Sequence, residues 1–185
     1  MLTAGEIAIQ IDLGEIEWPG ELRGDSLLLH LGSPIQPLIA SGGDPVVDLA
    51  DQASIDALYE PPQHDWRSFD LSAGRMALCQ AGESLRLGAG LASAISTLSH
   101  LARVGLATHV SSPWVMPGWN GYLTFELSNV GPAALRLWRG MPIGRLAVFR
   151  MVGAVQPLSR HGFYGDSDQL GSRYADEFMP ERNRK

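Results

Sequence analysis

The sequence predicts a mainly β domain, a sandwich or barrel with a few short helices, and three observations carry that prediction. Five runs, Leu27 to Gly32, Pro45 to Leu49, Arg75 to Leu78, Gly121 to Leu127 and Gly144 to Val152, are short, largely apolar and separated by Gly, Pro and Asp, the punctuation of strands joined by turns. Helical patterns, by contrast, are brief and few. With 185 residues, 45% of them hydrophobic and 18% charged, the chain has the size and balance of one globular domain around one core.

The first element is a helix. Thr3 stands three residues before Glu6 in a capping-box pattern, Ile7 and Ile11 follow one turn apart, and Gly14 is a suitable stop because glycine tolerates the left-handed backbone at a helix end. From Leu27 the strand-like runs begin. Between them Ser54 to Tyr59 is expected to be a brief helix, and Pro61-Pro62 a rigid connector that no strand interior would accept. Leu98 to Gly105 is the next helix, with Leu98, Leu101 and Ala102 on its apolar stripe and Gly105 as terminator. Ser99 and Arg103, four residues apart, share one face of it and are placed to act on one ligand. In Tyr122 to Leu127 a period of two puts Leu123, Phe125 and Leu127 on the core face and Tyr122, Thr124 and Glu126 on the other. After Leu158 the composition turns to Gly, Asp, Ser and Arg, so residues 1–158 are expected to form the β domain and 159–185 a mobile tail or a lid over a ligand.

A net charge of −6 and a pI near 5.3 disfavour binding of long nucleic acid through broad phosphate neutralisation and leave a small anionic ligand open. Of the 14 basic residues 13 are arginines and only Lys185 is a lysine, so a bound phosphate would have to be held by arginine, backbone N–H groups and hydroxyls. One cysteine, Cys79, forms neither an internal disulfide nor a multi-cysteine zinc site within a single chain and fits a reducing compartment. No run approaches the about 18 to 20 uninterrupted apolar residues of a membrane span, and no basic start followed by an apolar stretch marks a secretory leader. A cytoplasmic protein without membrane contact is the expectation.

The stretch from Ser99 to Ser128 resembles the dCTP deaminase family of the dUTPase/dCTP deaminase superfamily. That family has a helix motif Arg-Ser-Ser-x-x-Arg-x-Gly-Leu, then Ile-Asp-Pro-Gly-Trp-x-Gly, then a strand bearing a catalytic glutamate. Ser99, Arg103, Gly105-Leu106, His109-Val110, Pro117-Gly118-Trp119, Gly121 and Glu126 fall into register with it without a gap. Asn129 and Gly140-Met141-Pro142-Ile143-Gly144 are similar to the segments that follow, and Gly24 to Gly32 follows the N-terminal layout loosely.

The resemblance implies a β-clip or distorted jelly-roll subunit, dUTPase-like, assembled as a homotrimer with its sites at subunit interfaces. It implies metal-independent deamination of a cytosine nucleotide, with Glu126 as general base and then acid, Ser99 orienting the water or the base, and Arg103 pairing with the carboxylate. No cofactor is expected for the chemistry, and any Mg2+ is expected to come with the nucleotide's phosphates. The nucleotide-binding positions carried over are Leu98, Ser99, His100, Arg103, Met116, Trp119, Thr124 and Glu126, with Tyr164 and Gln169 from the tail. Several depart from the pattern. Leu98 stands where the family has a triphosphate-binding arginine, His100 where it has a second serine, Met116 where it has the aspartate that contacts the sugar or activates water, and Phe163 where it has a lid lysine. Two alternatives therefore accompany the deaminase reading: a catalytically degenerate trimeric module binding a nucleotide or a protein, and a dUTP diphosphatase, which the missing aspartate disfavours.

Overall fold

A computed structural model describes residues 1–39, 46–155 and 170–179. Along the chain run α1 (Ala4–Asp12), β1 (Ile16–Glu17), β2 (Leu27–Pro37), α2 (Gln52–Asp56), β3 (Ser68–Leu71), β4 (Met76–Leu87) and β5 (Leu91–Thr97). They are followed by α3 (Ser99–Ala102), β6 (Leu106–Ala107), β7 (Trp114–Val115), β8 (Asn120–Asn129), β9 (Leu135–Trp138), β10 (Pro142–Arg150) and α4 (Tyr174–Phe178). The mainly β architecture predicted from the sequence is what forms. Eight strands make one antiparallel sheet in the order β6-β8-β4-β2-β10-β5-β7, with β1 also pairing with β4, and β3 and β9 form a separate ribbon.

The opening helix follows its capping box. The Thr3 hydroxyl accepts from the Glu6 amide while the Glu6 carboxylate accepts from the Thr3 amide at 2.8 Å, and Gly14 turns the chain just beyond the helix with φ of 72°. Ile7 is fully buried beneath it.

β2, β4 and β8 are longer than their sequence patterns, whereas β10 has the expected length but begins and ends two residues earlier than the run from Gly144 to Val152. β2 has an interior in which both faces are covered, so its burial does not alternate and Pro34 reads as a breaker. The proline is accepted because the β2–β4 ladder shifts register between Leu31 and Ile35, where no ladder donor is required of it. Gly32 lies in the same irregularity, and a Cβ there would sit 2.4 Å from the Ala81 carbonyl oxygen, closer than two backbones with side chains can approach. A second shift in β4 between Gln80 and Ser84, and a third in β10 between Pro142 and Gly144, bend the sheet further so that it curls over its own core. Leu27, Leu29, Leu31, Phe125, Leu127, Leu146 and Val148 fill that core with essentially no exposure.

Three expectations are corrected. Residues 46–49 are not a strand: the Asp48 carboxylate accepts from the Ala50 amide and the Ser54 hydroxyl accepts from the Asp48 amide, local bonds that compete with a ladder, and Val46 and Leu49 stay exposed. The helix expected over Ser54 to Tyr59 starts earlier, because the Asp51 carboxylate caps the Ala53 amide, and its last turn opens after Asp56. The third concerns the helix around Leu101, where Ala102 is exposed and does not join the apolar stripe.

Candidate active site

On β8 the pleat works as its alternation requires. Leu123, Phe125 and Leu127 are buried at 4% exposure or less, while Tyr122, Thr124 and Glu126 face the other way. That second face opens into a cavity of about 540 Å³, with Thr124 and Glu126 on its floor and Trp119 at one side. Leu78 of β4, the cross-strand neighbour of Glu126, adds apolar lining together with Ile95 of β5 and Val115 of β7, and Trp114 also borders the cavity, 65% exposed and tilted against Phe149 at 6.3 Å between ring centres.

Glu126 is held at both ends of the residue. Its amide donates to the Thr108 carbonyl at 3.0 Å, and one carboxylate oxygen accepts from the Val110 amide at 2.8 Å. Both partners lie on the segment after β6, which is itself fastened to β5: the Thr97 and Thr108 hydroxyls are 2.8 Å apart and the Thr97 hydroxyl accepts from the Thr108 amide. Thr108 is fully buried. Thr97, Thr108 and Val110 are thus positioning residues for the carboxylate, and the sequence reading assigned them no role. Next to them, the His109 Nδ1 is buried with no hydrogen-bond partner among the described residues.

Trp119 is set by the turn before it. Gly118 takes φ of 80°, the Trp119 amide donates to the Met116 carbonyl, and the indole N–H donates to the Gly121 carbonyl at 3.2 Å. Met116, by contrast, is 51% exposed and does not line the cavity.

The helical motif sits elsewhere. Leu98 is the N-cap of α3 and its amide donates to the Ile143 carbonyl of β10, which ties the start of the helix to the sheet. Ser99, His100 and Arg103 point to solvent, and none of them borders the cavity of the same chain. Gly105, with φ of 92°, turns α3 into β6 against Gly131. Of the carried-over positions, one chain therefore brings Trp119, Thr124 and Glu126 together and leaves Leu98, Ser99, His100, Arg103 and Met116 outside. Tyr164, Gln169 and Phe163 lie outside the described residues.

Two further walls come from segments that carried no clear signal. Tyr59, just beyond α2, lines the cavity, and so do Leu170 and Ser172. The segment leading into α4 docks there through the Ser172 amide, which donates to the Tyr59 hydroxyl at 3.2 Å, and through the Gln52 side chain, which donates to the Ser172 carbonyl at 2.7 Å. Leu170 and Ala175 are buried in this contact, and Arg173 pairs with Asp176 and Asp56.

Among the described residues no three His, Cys, Asp or Glu side chains are grouped to hold a metal ion, and no helix is long and apolar enough to cross a membrane.

Residues 1–151 match the family model described as dCTP deaminase-like. A protein of Streptomyces avermitilis named dCTP deaminase, dUMP-forming, is 36% identical over 141 residues, covering 76% of this chain and 68% of its own length. One of the same name from Nocardioides is 31% identical over 189 aligned positions, covering all of this chain and 94% of itself. The one from Corynebacterium diphtheriae is 36% identical over 129 residues, and there the chain spans 65% of the relative's length. In three dimensions the chain resembles the 2′-deoxycytidine 5′-triphosphate deaminase of Agrobacterium tumefaciens, with a TM-score of 0.60 at 21% identity, over 80% of this chain and 47% of that one. This last likeness concerns the fold.

Proposed function

The chain belongs to the dCTP deaminase-like family, and from that membership we propose that it is a hydrolase converting the cytosine of a nucleotide to uracil with Glu126 as its proton carrier. The observation that carries the proposal is the Glu126 carboxylate, fixed by the Val110 amide at the floor of a cavity large enough for a nucleoside. Glu126 takes a proton from water as the water oxygen bonds to C4 of the ring, and the proton passes to N3. The resulting tetrahedral carbon carries a hydroxyl and the amino group. Glu126 moves the hydroxyl proton to that amino group, the C4–N4 bond breaks, ammonia leaves and the C4 carbonyl of uracil forms. Water is consumed and no redox change occurs.

Ser99 and Arg103 lie outside the cavity of their own chain, so in this proposal they serve the site of a neighbouring copy, in a homotrimer with three such sites. Arg103 then faces the partner's carboxylate as its counter-charge, and Ser99 orients the water. Thr124 and Trp119 hold the ring. Tyr164 and Gln169 of the tail complete the binding set. Mg2+ would enter with the substrate's phosphates. The names of the relatives add phosphate cleavage, yielding dUMP. That second step needs an activated water on the phosphate side, and Met116, which has no ionisable group, stands where the resemblance places the aspartate for it.

The test is ammonia release from dCTP, dCMP and 2′-deoxycytidine by the pure protein, with Glu126→Gln as control. Release by the native protein and none by the variant supports the reading. If no cytosine compound is deaminated, the chain is the degenerate binding module that Leu98 and Met116 would suit.

A further inference from the structure

A pair of hydroxyls stands at the neck of the loop that carries α3. Thr97 ends β5, Thr108 follows β6 eleven positions later, and between them lie Ser99, Arg103 and the turn at Gly105. The two side chains close the loop at its base: their hydroxyls are 2.8 Å apart, and the Thr97 oxygen also accepts from the Thr108 amide at 2.9 Å. Thr108 is fully buried, so its amide and hydroxyl have no water to turn to once the Thr97 oxygen is removed.

α3 does little to fix itself. It is a single turn with no buried residue, and its N-cap, Leu98, offers no side-chain acceptor to the first amides. A helix this short takes its place from the chain at its two ends. In front, Thr97 pairs with Gly144 and the Leu98 amide donates to the Ile143 carbonyl; behind, the Val130 amide donates to the Gly105 carbonyl. The Thr97–Thr108 contact joins front to back. The same contact also holds the base of the reaction, because the Thr108 carbonyl accepts from the Glu126 amide and, two residues on, the Val110 amide donates to the Glu126 carboxylate. Neither threonine lines the cavity, so both act through the groups they hold.

We infer that the Thr97 hydroxyl is a positioning group for two active sites at once. Through Thr108 and Val110 it aims the Glu126 carboxylate of its own chain, and through the α3 loop it places Ser99 and Arg103 for the site of the neighbouring copy. The first role rests on bonds within one chain, the second on the trimeric deaminase reading. Displacing a reacting group by about 1 Å is enough to lower a rate about a hundredfold.

The experiment uses full-length chains carrying Thr97→Val, which keeps the shape and removes the oxygen, or Thr97→Ser, which keeps the oxygen. Thr97→Val should lower kcat for ammonia release from dCTP at least about tenfold with KM changed by less than about twofold, and Thr97→Ser should retain most of the native kcat. Equal losses in the two variants overturn the inference, since the hydroxyl is then not what matters. For the neighbour's share, native chains are diluted into a large excess of Glu126→Gln chains, so that each active cavity receives α3 from an inactive copy. Adding Thr97→Val to the inactive copies should lower the rate per native chain at least about fivefold, and adding Thr97→Ser should not. An unchanged rate with Thr97→Val, where Arg103→Ala in the same copies abolishes it, overturns the two-site role and leaves the deaminase intact. An unchanged rate with Arg103→Ala refutes the sharing of α3 between copies, and the two-site role with it. Hydrogen exchange reads the clamp without activity: in Thr97→Val, residues 98–107 and 108–112 should both exchange faster, and loss of protection in one segment alone overturns the link between them. If no cytosine compound releases ammonia, the deaminase reading fails and the exchange result alone judges the clamp. Should Thr97→Val not assemble, Thr108→Val, which keeps the amide bond to Thr97, takes its place with the same outcomes expected.

Discussion

Asn129, at the end of β8, ties the site strand to its surroundings, and replacing one atom of it tests how. The side chain is fully buried, its amide nitrogen donates to the Leu71 and Ala133 carbonyls, both at 2.8 Å, and its oxygen accepts from the Gly131 amide at 3.0 Å. Asn129→Asp preserves size and the Gly131 bond but turns two donated bonds into contacts between oxygens. Each lost bond removes about 1 kcal/mol, and each stranded carbonyl adds about 1 kcal/mol or more, for a total of about 4 kcal/mol at neutral pH. That is a large part of the roughly 5–15 kcal/mol that holds a domain together. With an unfolding entropy of about 2.1 cal/mol/K per residue, about 0.39 kcal/mol/K over the 185-residue chain, the melting temperature should fall by about 10 °C. The pH dependence gives an independent check. Burial between carbonyls favours the protonated form of the introduced carboxyl, so its folded pKa lies above the unfolded value of about 3.9. The folded state then binds more protons than the unfolded one above that pH, and the deficit should grow as pH rises from about 4 to 7. Scanning calorimetry of both proteins at one concentration and several pH values measures it. A drop below about 3 °C at pH 7, or a deficit that does not shrink on acidification, refutes the assignment of Asn129 as the double donor.

Gly105→Ala should cost several-fold more stability than Gly14→Ala in urea melts: both glycines have positive φ, but the new Cβ at 105 would lie 2.4 Å from backbone atoms of Gly131, whereas at 14 it meets nothing within 4 Å. Activity should fall with it, since Gly105 orients α3. The Cys79 thiol is buried and pushed up to about 12, so native protein should resist iodoacetamide until it unfolds. Because this acid has a raised folded pKa, its contribution to stability is complete below the unfolded value and is lost as pH climbs from about 9 toward 12, a slope that Cys79→Ala should flatten. Leu98→Arg should tighten dCTP binding by about tenfold or more in titrations while leaving 2′-deoxycytidine unchanged, because it restores one charge-assisted contact to phosphate.

Much of this was legible because it is written in local chemistry. Thr3 and Glu6 announce α1, the alternation of Leu123, Phe125 and Leu127 fixes which way Glu126 faces, and Gly105 marks the end of α3. What escaped depends on contacts distant in sequence. β5, rich in Ala and Ser, has little strand signal of its own and is defined by pairing with β10, where Ser93 is buried opposite Val148. β2 runs on past Pro34 only because a register shift spares the proline its missing donor. At the site, the resemblance marked Glu126, Thr124 and Trp119. Thr97 and Thr108 act through a hydroxyl pair that no spacing encodes, and Tyr59 enters only because the segment Leu170 to Ser172 folds back onto it.

The sheet order also bears on how the protein is made. β10 comes last of the sheet strands along the chain, yet it lies between β2 and β5, and the Leu2 amide near the N-terminus donates to its Val148 carbonyl. A ribosome releases the chain in the opposite spirit: by residue 129 the β6-β8-β4-β2 half can close, while the facing edges of β2 and β5 wait, unpaired, for a strand not yet synthesised. Those edges are where a nascent chain would recruit a chaperone or snag on its neighbours. Truncations ending before Pro142 should therefore yield insoluble material, because they lack the keystone of the sheet.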